Sequence, residues 1–220
     1  TQAGMEGAIL QMLNHGISTG ALFLLVGVIY DRRHTRLIRE FGGLAKVMPV
    51  YAVLFVIVTM SSIGVPGTNG FVGEFMIVMG TFVSSALGGN AKLQAGLAAA
   101  GVILAAVYML SVTQRMFFGP LSNPKNKRLK DVSPREIIAL APLIAMIFVI
   151  GWFPNLFTSR MTEGVETVLD RYVAHRNAFV EKRDEQFATL TPRRGGPVEQ
   201  GYPEDPKKKD AAQALNGVAP

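Results

Sequence analysis

The sequence contains no cysteine. That excludes disulfides, thiolate metal sites and cysteine-ligated iron–sulfur clusters from this chain. Charge is also scarce: Asp, Glu, Lys and Arg make up 17% of the 220 residues while 49% are hydrophobic. No secretory signal pattern opens the chain. It starts at Thr1 and enters an apolar helix almost at once, so an N-terminal truncation with missing upstream spans is expected. No metal cluster, nucleophile triad or phosphate loop appears. The lone glycines lack the strand–turn–helix context of a dinucleotide fingerprint.

What charge there is falls in clusters. Up to about residue 157 it lies mainly between long apolar runs, and beyond that point acids and bases are dense and balanced. The net charge of +6 therefore belongs to the loops of the first part. This is the pattern of an all-α polytopic membrane protein with a polar tail. A nucleic-acid binder needs a basic face on a folded soluble domain, and none is visible.

The first span covers about Gly4 to Tyr30 and ends at Asp31-Arg32-Arg33-His34-Thr35-Arg36, the start of a basic loop that runs to Lys46. The next apolar stretch, about Met48 to Ala86, is too long for one straight helix and breaks at Gly64 to Gly70. Pro66 lacks an N–H and clashes with the preceding turn, and glycines such as Gly67 permit non-helical backbone. The stretch is either one discontinuous span or a tight hairpin of two. Loop charge favours the discontinuous span. It puts the loop of Arg32 to Lys46 on the same side as the later loop of Lys125, Lys127, Arg128, Lys130 and Arg135, with Arg115 just before it, as the positive-inside rule prefers. Span three, about Leu93 to Phe118, carries small residues suited to close helix contact. Span four runs from about Pro134 to Phe153, with Ser133 as N-cap and Glu136 in the first turn. Trp152 and Phe153 sit where an interfacial aromatic belt belongs.

The expected organisation is four transmembrane helices, one discontinuous, over residues 1–156. An amphipathic surface helix follows over 157–190, with apolar positions at Met161, Val165, Val168, Leu169, Tyr172 and Val173. A disordered tail closes the chain over 191–220. The basic loops are expected in the cytoplasm and the tail on the opposite side.

Glu74 is the leading candidate for chemistry. An ionisable group at membrane depth costs ~3 kcal/mol on insertion scales, so such groups mark function. A broken helix beside it is a common way for transporters to build an ion site. Glu74 is read as lying in the opening turn of the second half-helix, where the helix dipole favours the carboxylate. Burial favours the neutral acid. The plain alternative is a structural carboxylate that caps its own helix or pairs with a lysine elsewhere. Gln11, His15 and Ser18 recur at helical spacing on span one, flanked by Asn14 and Thr19. That polar stripe suits a bundle interior or a water file, with His15 able to relay protons near neutral pH, or else simple interhelical hydrogen bonding. His34 and His175 read as loop and solvated residues, and Arg115 as snorkelling to the interface.

Several motifs follow one another in order: Gln11-Met12-Leu13-Asn14-His15-Gly16, Gly20-Ala21-Leu22-Phe23-Leu24, Tyr30 to Arg36, Gly42-Gly43-Leu44, and Gly64-Val65-Pro66-Gly67-Thr68-Asn69-Gly70-Phe71-Val72-Gly73-Glu74-Phe75. Together, over about residues 3 to 156, they resemble the C-terminal part of the antiporter-like membrane subunits of bacterial respiratory NADH–quinone oxidoreductase, complex I. The Gly-Glu-Phe ending and the His-Thr-Arg loop look like the M type, whereas related types place a lysine at or near position 74. The resemblance implies proton translocation driven by redox chemistry in other subunits. Glu74 matches the family's essential carboxylate on the second broken helix, and His15 matches a histidine of its polar axis. Gln11, Asn14, Ser18, Pro66 and Gly67 would support them. The axis lysines would lie upstream. The resemblance further implies no cofactor in this chain, with NADH, flavin, iron–sulfur clusters and quinone bound elsewhere in the complex. The implied partners are other membrane subunits of that complex, especially neighbouring antiporter-like ones, in the bacterial cytoplasmic membrane. The rival reading is a cation/proton antiporter or membrane-bound hydrogenase subunit without NADH.

Overall fold

The computed structural model describes residues 1–190, with side chains described as far as Gln186. The tail expected over 191–220 lies outside the described residues. The described chain is helical throughout, with no strand. It divides into two units, one over Thr1–Val173 and the other beginning at Ala174.

In the first unit α1 runs Gln2–Arg33. Thr1 caps its start by accepting from the Gly4 N–H. Arg32 and Arg33 occupy its last turn, and His34 closes it in the left-handed conformation. Then come α2 (Pro49–Ser62), α3 (Asn69–Phe82), α4 (Ala91–Thr113) extended by one π turn over Gln114–Phe118, α5 (Pro134–Trp152), a single turn α6 (Asn155–Thr158), and α7 (Thr162–Leu190). Ser133 and Glu136 form a reciprocal capping box with Pro134 in the first turn, as the sequence predicts.

Among the described residues three helical stretches are long and apolar enough to cross a membrane: Gln2–Arg33, Ser85–Phe118 and Pro134–Trp152. The expectation was four. The difference lies at the break, which leaves α2 and α3 with 14 residues each. At 1.5 Å per residue each half reaches only about 21 Å, short of the ~30 Å of hydrocarbon.

The two halves nevertheless run as one column along α1. Tyr51 on α2 donates to the Leu25 main-chain oxygen at 2.9 Å. Ser61 meets Ser18 at 2.7 Å. Asn69 at the start of α3 meets Asn14. Met76 packs on Gly7. The Gly80 oxygen receives Thr1 Oγ1 at 3.0 Å. Position falls steadily on α1 as it rises on α2 and α3. This antiparallel register covers nearly the whole of α1, with α3 continuing along it where α2 ends.

Both basic loops gather at one end of this column. Arg32 forks onto both carboxylate oxygens of Glu136 at 2.7 and 2.8 Å and also reaches the Lys130 and Asp131 main-chain oxygens. The Asp131 carboxylate accepts from the Val50 and Tyr51 N–H groups, capping α2 from another loop. Asn123 and Asn126 donate to Glu40. The core between these ends is apolar, with Leu10, Leu25, Tyr51, Val58, Phe117 and Ile147 among its fully buried side chains.

The first unit extends beyond α5. Val165 is buried and Gln2 donates to Glu166 at 3.2 Å, so the opening turns of α7 belong to it. Val168, Tyr172 and Val173, expected on an apolar stripe, are exposed. In the second unit the helix continues to Leu190, and the side chains from Ala174 to Glu185 are exposed.

Candidate functional site

The break is built on two left-handed backbone positions. Gly64 has φ +69° and Gly67 has φ +92°, both in the left-handed region that glycine tolerates. Ile63 to Thr68 carry the chain across. The Val65 N–H reaches the Met60 oxygen at 3.1 Å, and Thr68 Oγ1 turns back to the Val65 oxygen at 2.7 Å instead of capping α3. Pro66 is exposed. Gly151 on α5 packs directly on the Gly67 and Thr68 backbone.

A polar ring occupies the buried side of this break. Asn69 Nδ2 donates to Ser18 Oγ at 3.2 Å, Ser18 Oγ lies 2.7 Å from Ser61 Oγ, and Ser61 Oγ donates to Asn69 Oδ1 at 2.5 Å. The three close a cycle in which each bond polarises the next. Asn14 extends it: its Nδ2 donates to the Asn69 main-chain oxygen at 2.7 Å and to Gln11 Oε1 at 3.1 Å. Gln11 Nε2 in turn donates to Glu74 Oε1 at 3.4 Å. Asn14 is 1% exposed, and Asn69 and Ser61 are fully buried. The close approach of α1 and α3 that permits this depends on Gly73, where a Cβ would collide with Gln11 and Asn14.

Glu74 is partly buried and its carboxylate leans on Gly64, where a Cβ would meet Oε2. It lies in the second turn of α3 and not the opening turn expected from sequence, because the helix starts at Asn69. It therefore caps no helix, and the dipole argument loses most of its force, since that field falls off within the first turn. No lysine or arginine forms an ion pair with it among the described residues. It stands between two spaces. One is an apolar cavity of about 320 Å³ against α4, walled by Phe71, Phe75, Ala99 and Ile103. On the other side, beyond Gln11, is a polar cavity of about 170 Å³ walled by Asn14, His15, Ser18, Ser61 and Tyr108.

His15 lines that polar cavity from the exposed side of α1, and its Nδ1 lies 3.1 Å from Thr19 Oγ1. It makes no hydrogen bond to Glu74. The stripe that meets the break is Gln11, Asn14 and Ser18, one residue round from the expected Gln11, His15 and Ser18. The structure adds Asn69 and Ser61 to the candidate residues, and Thr59, buried with an unpartnered hydroxyl. Their signal in the sequence is polar residues on an otherwise apolar half-helix.

Chemically, hydroxyls and carboxamides donate and accept hydrogen bonds without taking up a proton near neutral pH. Of the described side chains in this network only Glu74, at its end, can hold one, and beside it only His15. Among the described residues no group of His, Asp or Glu is arranged to hold a metal ion.

Residues 1–91 match the family described as NADH:quinone oxidoreductase/Mrp antiporter, TM. The chain is 44% identical over 173 residues to NADH-quinone oxidoreductase subunit M of Rhodobacter capsulatus, covering 79% of this chain and 33% of that protein. It is 41% identical over 172 residues to the subunit M of Rickettsia prowazekii (strain Madrid E), covering 78% and 34%. Similarity extends to NADH-ubiquinone oxidoreductase chain 4 of Marchantia polymorpha, 37% identical over 166 residues, covering 76% of this chain and 32% of that protein. Among solved structures, a chain of respiratory complex I from Thermus thermophilus with bound NADH superposes with a TM-score of 0.66 at 30% identity, covering 77% of this chain and 35% of that one. The chain spans about a third of the length of the curated relatives it matches.

Proposed function

Because the chain belongs to the NADH:quinone oxidoreductase/Mrp antiporter transmembrane family, we propose that it is part of a proton-translocating membrane subunit of NADH–quinone oxidoreductase. The observation that carries this reading is Glu74, among the described residues the one carboxylate joined, through Gln11 and Asn14, to the buried polar ring at the helix break. In this reading α2 and α3 make a single interrupted crossing, the fourth beside the three long helices. The basic loops face the cytoplasm and α5 ends on the opposite side, where positive charge is disfavoured.

Glu74 takes up a proton by way of the polar cavity it borders through Gln11, with His15 on the cavity's far wall able to receive and pass that proton. It releases it when its surroundings change with the redox state of the complex. Gln11, Asn14 and Ser18 hold the path's geometry, and Pro66 and Gly67 hold the break open. NADH oxidation and quinone reduction belong to other subunits, and the membrane neighbours of this chain are other subunits of the same complex. The relatives' names favour this over a cation/proton antiporter working without NADH, which the family description also embraces.

The test is Glu74→Gln in the complete complex reconstituted in liposomes. Proton uptake per NADH oxidised should be abolished or sharply reduced, while the amide keeps the size and hydrogen bonds of the site. Undiminished uptake sinks the reading.

A further inference from the structure

The carboxamide of Asn14 can be oriented without ambiguity. The atom 2.7 Å from the Asn69 main-chain oxygen has to be the nitrogen, because that oxygen only accepts. The same nitrogen lies 3.1 Å from Gln11, which must therefore present its own oxygen there. The other end of the Gln11 amide, its nitrogen, is left facing Glu74. A main-chain oxygen at the first residue after the break thus fixes, through two amides, which atom Glu74 meets. Asn14 Oδ1 has no protein partner among the described residues, so only the bonds from Nδ2 hold this amide in place.

We propose that Asn14 is a positioning residue that ties the hydrogen bond received by Glu74 to the geometry of the helix break, acting through Gln11. This rests on the reading of Glu74 as the proton-binding group. With the Gln11 nitrogen toward Glu74, that hydrogen bond favours the carboxylate over the acid. If α3 shifts against α1, Asn14 loses the Asn69 oxygen and Gln11 loses its anchor. The Gln11 amide then turns its oxygen to Glu74 and accepts from the protonated acid. One amide rotation reverses which form of Glu74 the Gln11 hydrogen bond supports, and the only covalent change is a proton gained or lost at one carboxylate oxygen.

The other titratable groups do not compete for this role. Of the elements packed against α3, α1 carries Glu6 and His15 towards this end and Tyr30, Asp31, Arg32 and Arg33 at the far end. Tyr51 lies on α2, Lys92 and Tyr108 on α4, and Arg135 and Glu136 at the far end of α5. None hydrogen-bonds or ion-pairs with Glu74.

The experiment is the pH dependence of NADH-driven proton uptake by the complete complex in liposomes. Asn14→Leu should move the midpoint to higher pH by about one unit, the size of a lost hydrogen bond to a charged group. Gln11→Leu should move it equally, and the double variant no further. If leucine at position 14 prevents assembly, Asn14→Ser is read the same way. A smaller amount of complex with an unmoved pH profile makes Asn14 a mere stitch and overturns the proposal. So does a shift with Gln11→Leu that Asn14 substitutions lack. Glu74→Gln separates the two ideas. Full pumping there removes the proton-binding reading itself, whereas lost pumping with an unmoved Asn14 profile removes only this inference.

Discussion

Gly64 shows how a single residue is constrained from two directions. Its φ of +69° disfavours any L side chain by about 1–2 kcal/mol. Its missing Cβ is also the space in which the Glu74 carboxylate rests. Gly64→Ala should therefore reduce proton uptake per NADH oxidised by displacing Glu74, and the effect should exceed any loss in the amount of assembled complex. Normal uptake in that variant would mean that the carboxylate position is not critical. Asn14 and His15 make a second lesson at this scale. Both are polar and adjacent, so the hydrophobic pattern alone does not tell which faces inward. The inward face of α1 carries Gly7, Leu10, Asn14, Ile17, Ser18, Ala21 and Leu25. Gly7, Ser18 and Ala21 lie in phase with Asn14, and small size was the cue that polarity obscured.

At the scale of elements, the break was readable because Pro66 and its glycines cannot continue a helix. Loop charge then favours an interrupted helix over a hairpin, and α2 and α3 pair with α1 in one continuous antiparallel order. Two features were not readable. The π turn at Gln114–Phe118 has no sequence signature to distinguish it from the end of an α-helix. The cap of α2 comes from Asp131, about eighty residues along the chain, which no local pattern announces. Met48 at the cap position supplies no side-chain acceptor. Asp131→Ala should thus cost about 1–2 kcal/mol, the usual worth of a lost N-cap, seen as a lower thermal midpoint of the assembled complex. An unchanged midpoint would mean that water replaces the carboxylate at no cost.

For the whole molecule, the gathering of both basic loops at one end was legible from charge. The extent of the first unit was not, because the start of α7 looks like a surface helix by composition yet buries Val165 against the bundle. The end bearing the loops is held by Arg32 and Glu136, with side chains 17% and 22% exposed. Arg32 alone serves Glu136, Val28, Lys130 and Asp131, and its planar fork is what allows this. Arg32→Lys keeps the charge and loses the fork, so it should still destabilise, by roughly 2 kcal/mol. Thermal unfolding of the complete complex checks this, and a midpoint equal to that of the unaltered complex would count against the geometry. The apolar faces of α4, with Leu93, Leu97, Ile103 and Leu104 exposed, fit a lipid bilayer.

The break also sets the geometry of a lever. From Asn69 to Phe82 the second half-helix is a rod about 20 Å long, and Glu74 sits roughly a third of the way out. A tilt of about 5° moves the far tip by almost 2 Å but Glu74 by only about 0.6 Å. That small step is enough to matter, since the Gln11–Glu74 bond is already 3.4 Å long and a few tenths more ends it. Such an arm turns a large excursion at Phe82 into a fine adjustment at the carboxylate.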